Sequence, residues 1–123
     1  MTGREPVSTA NFRPKAYLKD GCPFSFKLLL FLAESGMTAE VELIRCDPEA
    51  ADFKAIKSRL EAGLRKRVTF PAAELEPDRY LSDSDALVAH FAAKRNVDIR
   101  TLPAFSFYVQ TLFPQLLHLH GGH

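Results

Sequence analysis

The 123-residue chain reads as an α/β domain of order βαβαββα followed by a C-terminal helical extension. Three observations predict this. Short runs of β-forming residues separate longer stretches whose apolar residues recur at helical spacing. Two of those stretches open on helix-start chemistry, Cys22-Pro23 and the run Ser82-Asp83-Ser84-Asp85. The last stretch, from Leu102 to His120, is apolar almost all round, so it must be covered by the domain or by a second subunit.

The elements follow in order. Residues 1–14 show no sustained period and read as a tail. Lys15 to Asp20 is a short strand centred on Tyr17 and Leu18, broken by Gly21. Phe26, Leu29, Leu30 and Ala33 then fall at i, i+3, i+4 and i+7, with Gly36 suited to a left-handed helix end. Glu40 to Arg45 alternates as a second strand. Asp47-Pro48 is expected to open a second helix, whose apolar stripe is Phe53, Ile56, Leu60 and Leu64. Ala72 to Leu75 and Tyr80-Leu81 read as a hairpin around Glu76-Pro77-Asp78. Leu87, Val88, Phe91 and Ala92 form a third helical face closed by Asn96. The domain is therefore placed at 15–96 and the apolar extension at 97–123. Within the extension, Pro114 predicts a kink or break.

A formal net charge of +1 gives no reason to expect nucleic acid or an anionic membrane as partner. The longest apolar run, Leu28 to Ala33, is too short to cross a bilayer, and the N-terminus lacks an apolar signal core. A cytoplasmic location is expected. Two cysteines make no disulfide framework, so each needs its own explanation.

Cys22 has one. A cysteine at a helix N-terminus meets free N–H groups and the positive end of the macrodipole, which favour the nucleophilic thiolate. The tetrapeptide Cys22-Pro23-Phe24-Ser25 is thus a candidate thiol redox or glutathione site. Cys46 ends a strand and reads as a half-buried thiol, with a resolving role for Cys22 as the alternative.

Strand, Cys-Pro-x-x, helix, strand, helix, then Thr69-Phe70-Pro71 before a hairpin and a final helix is an order with a family likeness. It resembles the thioredoxin fold, and within it glutaredoxins and the N-terminal domain of glutathione transferases. The resemblance implies that Cys22 is the nucleophile and that Lys19, three residues before it, assists thiolate formation. It implies that Pro71 is cis and that the Phe70 backbone pairs with the cysteinyl unit of glutathione. Phe24, within the motif, is implied in the same site. The γ-glutamyl end would be held by Ser84 with Asp83 or Asp85. Asp83-Ser84 fits the transferase pattern and Ser84-Asp85 the glutaredoxin one, and plain helix capping explains the run equally well. In the basic run Arg65-Lys66-Arg67, Arg67 is the candidate for the glycyl carboxylate, a solvated turn being the alternative.

Ser25 stands where dithiol relatives carry a second cysteine, so the implied chemistry is monothiol. Glutathione is then the cosubstrate, and the other partner is a glutathionylated or disulfide-containing substrate. The expected activity is that of a glutathione-dependent thiol–disulfide oxidoreductase or transferase-like enzyme. The alternative is a non-catalytic glutathione-binding or redox-sensing module that assembles, for example as a homodimer, through residues 102–119. An arsenate- or peroxide-handling thiol enzyme is a third reading.

Some features depart from the families. No Gly-Gly pair precedes the acidic helix start, and the motif is not Cys-Gly-Phe-Ser, so no iron–sulfur cluster is implied. The length leaves no room for the transferases' all-helical second domain, so conjugation of xenobiotics is not expected. His118, His120 and His123 lack regular metal-ligand spacing and read as a surface tail. No metal is expected.

Overall fold

The computed structural model describes residues 12–119. The bulk of the expected tail and the terminal His120 and His123 lie outside them. β1 (Lys15–Lys19), β2 (Glu42–Cys46), β3 (Ala72–Glu76) and β4 (Arg79–Ser82) form one sheet in the order β2-β1-β3-β4. β1 runs parallel to β2 and antiparallel to β3, and β3 is antiparallel to β4. The order βαβαββα is completed by α1 (Pro23–Glu34), α2 (Phe53–Leu64) and α3 (Ser84–Arg95). Together these elements make the thioredoxin-like fold.

Alternation along the strands divides the core in two. On one face Ala16, Leu18, Ala73 and Leu75 meet α1 and α3, with Leu28, Phe31, Leu32 and Leu87 fully buried. Burying each large apolar side chain there is worth about 1.5–3 kcal/mol relative to leaving it exposed. On the other face Tyr17, Cys46 and Ala72 meet Leu60 of α2, with Phe53, Ile56 and Leu64 packed around them. Gly36 (φ 77°) and Asn96 (φ 57°) end α1 and α3 in the left-handed conformation.

The second helix starts later than Asp47-Pro48 suggests. Asp47 Oδ1 accepts from the Glu49 N–H at 2.9 Å, and α2 begins only at Phe53. An aspartate that satisfies its neighbour in a local turn competes with helix initiation. The second strand likewise begins at Glu42 rather than Glu40, because residues 38–40 form a turn in which the Glu40 N–H donates to the Met37 carbonyl at 3.0 Å.

Beyond α3, a short 3-10 turn (Ile99–Thr101) leads into α4 (Pro103–Phe107), a π-helical segment (Tyr108–Leu112) and α5 (Phe113–Leu119). The chain stays helical through Pro114 instead of breaking. Proline has no N–H to donate, and its ring crowds the carbonyl four residues back. A local widening of the helix over Tyr108–Leu112 accommodates both defects. Leu102 and Phe105 are buried in the main core, and Tyr108 and Phe113 are buried beside α1. The extension covers the domain.

Glu34, the last residue of α1, holds this extension down. Its Oε2 accepts from the Ala104 N–H at 2.8 Å and its Oε1 from the Phe105 N–H at 2.7 Å. These are free donors of the first turn of α4, and a carboxylate there also meets the positive end of the helix. No described helix is long and apolar enough to cross a membrane.

Candidate functional site

Cys22 lies where β1 turns into α1. Gly21 (φ 74°) makes the turn, and Pro23 occupies the first helical position, where a missing N–H costs nothing. The sulfur itself caps the helix, accepting from the Ser25 N–H at 3.4 Å. Ser25 is 3% exposed, and its Oγ accepts from the Lys19 N–H at 3.0 Å. The residue standing in for a second cysteine is thus a strut between the end of β1 and the first turn of α1.

Across from it, the Cys22 thiol donates to the Phe70 carbonyl at 3.7 Å, and the Phe70–Pro71 peptide bond is cis. The Phe70 ring stacks on Phe53 with centroids 5.8 Å apart. Pro71 is fully buried. Residues 48 positions apart in sequence therefore meet at the sulfur.

The third expected element is the start of α3. Ser84 is the first residue of that helix and is buried, whereas Asp83 and Asp85 are exposed. Asp83 has φ 91°, a region that residues with a side chain rarely adopt, and its side chain caps none of the first-turn N–H groups. Those first-turn donors suit an anion. Asp85 has a partner that the sequence did not suggest. Lys27 Nζ donates to its Oδ1 at 2.6 Å and sits 4.5 Å from the centroid of the Phe113 ring. Lys27 is 5% exposed. The signal for it was a lone cation in an otherwise apolar stretch of helix, which needs a partner when buried. Phe24 packs edge-on against Phe113 at 5.1 Å. Arg67 is exposed in the loop between α2 and β3.

On another flank of Cys22 an apolar cleft of about 700 Å³ opens. Leu18, Phe26 and Leu43 form one side, and Tyr108, Leu112 and Leu116 of the extension form another. Lys19 lines the same cleft, as does the ion pair of Arg45 Nε with Asp20 Oδ1 at 2.8 Å. Tyr108 is buried, and its hydroxyl donates to the Pro23 carbonyl at 2.7 Å. Burial first, and then the neighbouring Cys22, push its pKa up to about 12.

Cys46 is a different kind of thiol. It is 1% exposed, in the cluster that packs against α2, while Cys22 heads α1 on the opposite face of the sheet. Burial pushes its pKa up, with Asp52 and Asp20 adding to the effect. Both cysteines are free. Among the described residues no group of three or more histidines, cysteines or carboxylates is placed to hold a metal ion.

Residues 21–94 match the family model described as glutathione S-transferase, N-terminal domain, over more than half of the chain. The crystal structure of oxidized glutaredoxin 2 from Chlamydomonas reinhardtii has a similar fold. It is 18% identical, with a TM-score of 0.51 over 90% of this chain and 84% of that one. A structure described as a possible glutathione S-transferase from Rhodopseudomonas palustris is 24% identical over 67% of this chain, with a TM-score of 0.49. Glutathione transferase Omega 2C from Trametes versicolor is 20% identical over 80% of this chain, with a TM-score of 0.47. The chain spans 40% and 41% of the lengths of these two transferases. Among curated proteins, none matches significantly.

Proposed function

For a chain that belongs to the glutathione S-transferase N-terminal domain family, we propose glutathione-dependent thiol–disulfide exchange through Cys22 alone. The observation that carries this reading is the placement of the Cys22 sulfur. It caps α1, lies 3.7 Å from the carbonyl that precedes Pro71, and has a serine rather than a cysteine one turn on.

The Cys22 thiolate attacks the glutathione sulfur of a mixed disulfide. A new S–S bond joins Cys22 to glutathione, and the other thiol leaves as a thiolate that takes a proton from water. A second glutathione, as thiolate, then attacks the glutathionyl sulfur. Cys22 departs as thiolate and oxidised glutathione is released, so no electrons are gained or lost overall. In this reading Phe70 and the start of α3, with Ser84 and Asp83, hold glutathione. Asp85 contributes its second carboxylate oxygen, Lys19 adds positive charge near the sulfur, and Arg67 meets the glycyl carboxylate. The departing thiol leaves into the apolar cleft. Domain limits of 15–96 and 97–123 and a cytoplasmic location belong to the same proposal.

Steady-state reduction of a glutathionylated peptide by glutathione tests it. Turnover should disappear in Cys22→Ser, while glutathione binding is largely kept. Equal turnover in that variant would overturn the mechanism.

A second reading has its own support. Phe107, Leu112 and Leu119 are 60%, 49% and 78% exposed on the extension, an apolar surface suited to assembly. Light scattering of the wild type beside a Phe107→Ser/Leu119→Ser double variant tests it. A dimer lost in the variant supports assembly through residues 102–119, and a monomer in both removes it.

A further inference from the structure

Tyr108 connects the apolar cleft to the nucleophile. Its hydroxyl comes from the π-helical segment of the extension and reaches the carbonyl of Pro23, the residue after Cys22, 85 positions away in sequence. That carbonyl shares a peptide unit with the Phe24 N–H. The Phe24 N–H is one of the first-turn donors of α1 that have no acceptor within the helix. The next donor along, on Ser25, bonds the Cys22 sulfur at 3.4 Å. A hydrogen bond to the oxygen of a peptide fixes its plane and increases its polarisation, so the N–H at the other side becomes the better donor.

The ring is held as firmly as the hydroxyl. Phe26 lies edge-on to it at 5.0 Å and Phe113 tilts against it at 5.6 Å. The high pKa keeps the hydroxyl protonated, and therefore a donor, throughout the neutral range. The same ring is a wall of the cleft beside Cys22.

We infer that Tyr108 is a positioning residue for Cys22: its hydroxyl holds the Pro23–Phe24 peptide of the first turn in the orientation that presents the sulfur for attack. The inference rests on Cys22 being the nucleophile proposed above. It also makes the extension a working part of the site, since the wall of the cleft and the support of the sulfur are one side chain.

The test compares wild type, Tyr108→Phe and Tyr108→Met as full chains. Two readouts are taken: the second-order rate of Cys22 alkylation by iodoacetamide, located by peptide mapping, and the kcat and KM of glutathione turnover. Loss of one hydrogen bond of ordinary strength predicts alkylation slowed about two- to tenfold in both variants. Turnover kcat should fall by a similar factor with the KM for glutathione unchanged, and in Tyr108→Phe, which keeps the packed ring, the thermal midpoint should change little. Wild-type alkylation in Tyr108→Phe overturns the inference. So does a loss confined to Tyr108→Met, which would assign the effect to ring packing, or a loss that merely follows the unfolded fraction. If the wild type shows no glutathione turnover, the proposed function fails, while the alkylation series still decides the role of Tyr108.

Discussion

Replacing Glu34 by alanine removes both carboxylate oxygens from the start of α4, leaving the Ala104 and Phe105 N–H groups to water or to nothing. A buried hydrogen bond to a charged group is worth about 1.5–3 kcal/mol. Here Ala104 is exposed and Glu34 half-buried, so water recovers part of the loss. The Phe105 N–H is the donor less accessible to water, because its residue is 5% exposed. Loss of a helix cap, about 1 and up to 2 kcal/mol, is the closer scale. We expect Glu34→Ala to cost about 1–2 kcal/mol, seen as a melting midpoint lower by roughly 4–8 °C for a chain of this size. Glu34→Gln keeps one acceptor oxygen and should lose about half as much. Thermal melts by circular dichroism give the midpoint, and hydrogen exchange locates it: the Ala104 and Phe105 amides should exchange faster than in wild type. A midpoint within about 1 °C of wild type, with protection at those amides unchanged, would refute the clamp.

Two further outcomes follow from the packing and the charges. A Cβ at Gly63 would fall within 2.9 Å of Tyr80 Cγ and closer still to the adjacent ring atoms. Alanine is favoured over glycine in a helix by about 0.8–1.0 kcal/mol, but overpacking costs about 1–3 kcal/mol, so Gly63→Ala should destabilise. In a Tyr80→Ala background the same change should stabilise, and denaturant melts of the four proteins read the reversal; purely additive effects would contradict the contact. Burial, helped by Lys94 and Arg79, pulls the His90 imidazole below its ordinary 6.5. The unfolded chain then binds more protons, so His90 contributes stability that is present above about pH 6.5 and lost as the pH falls through its lowered folded value. From about pH 7 to pH 5 the wild-type midpoint should drop more than that of His90→Gln, and equal slopes would remove the effect.

What the sequence made legible was the chemistry that acts over one turn of chain. Cys22-Pro23 at a helix start, Gly36 and Asn96 at helix ends and the turn before Arg79 each announce themselves through local capping or backbone preference. Asp47-Pro48 misled for the same reason: its local signal is real, but the Asp47 oxygen is taken up by a turn that precedes the helix start at Phe53. The contacts that complete the site had no such signal. Lys27 with Asp85, Glu34 with the start of α4 and Tyr108 with Pro23 join residues 58, 70 and 85 positions apart. Only the fold brings them together. Lys27 came nearest to being legible, as a single cation among apolar neighbours, yet its partner stood in a run already explained by capping.

The most direct test of Cys22 as the working thiol is to expose the folded protein to oxidised glutathione, map the adduct by mass spectrometry, and then add reduced glutathione. Cys22 should take one glutathionyl group, the buried Cys46 none, and the reduced thiol should release the adduct. A folded protein that takes no adduct on Cys22, or one modified at Cys46 in its place, would contradict Cys22 as the working thiol.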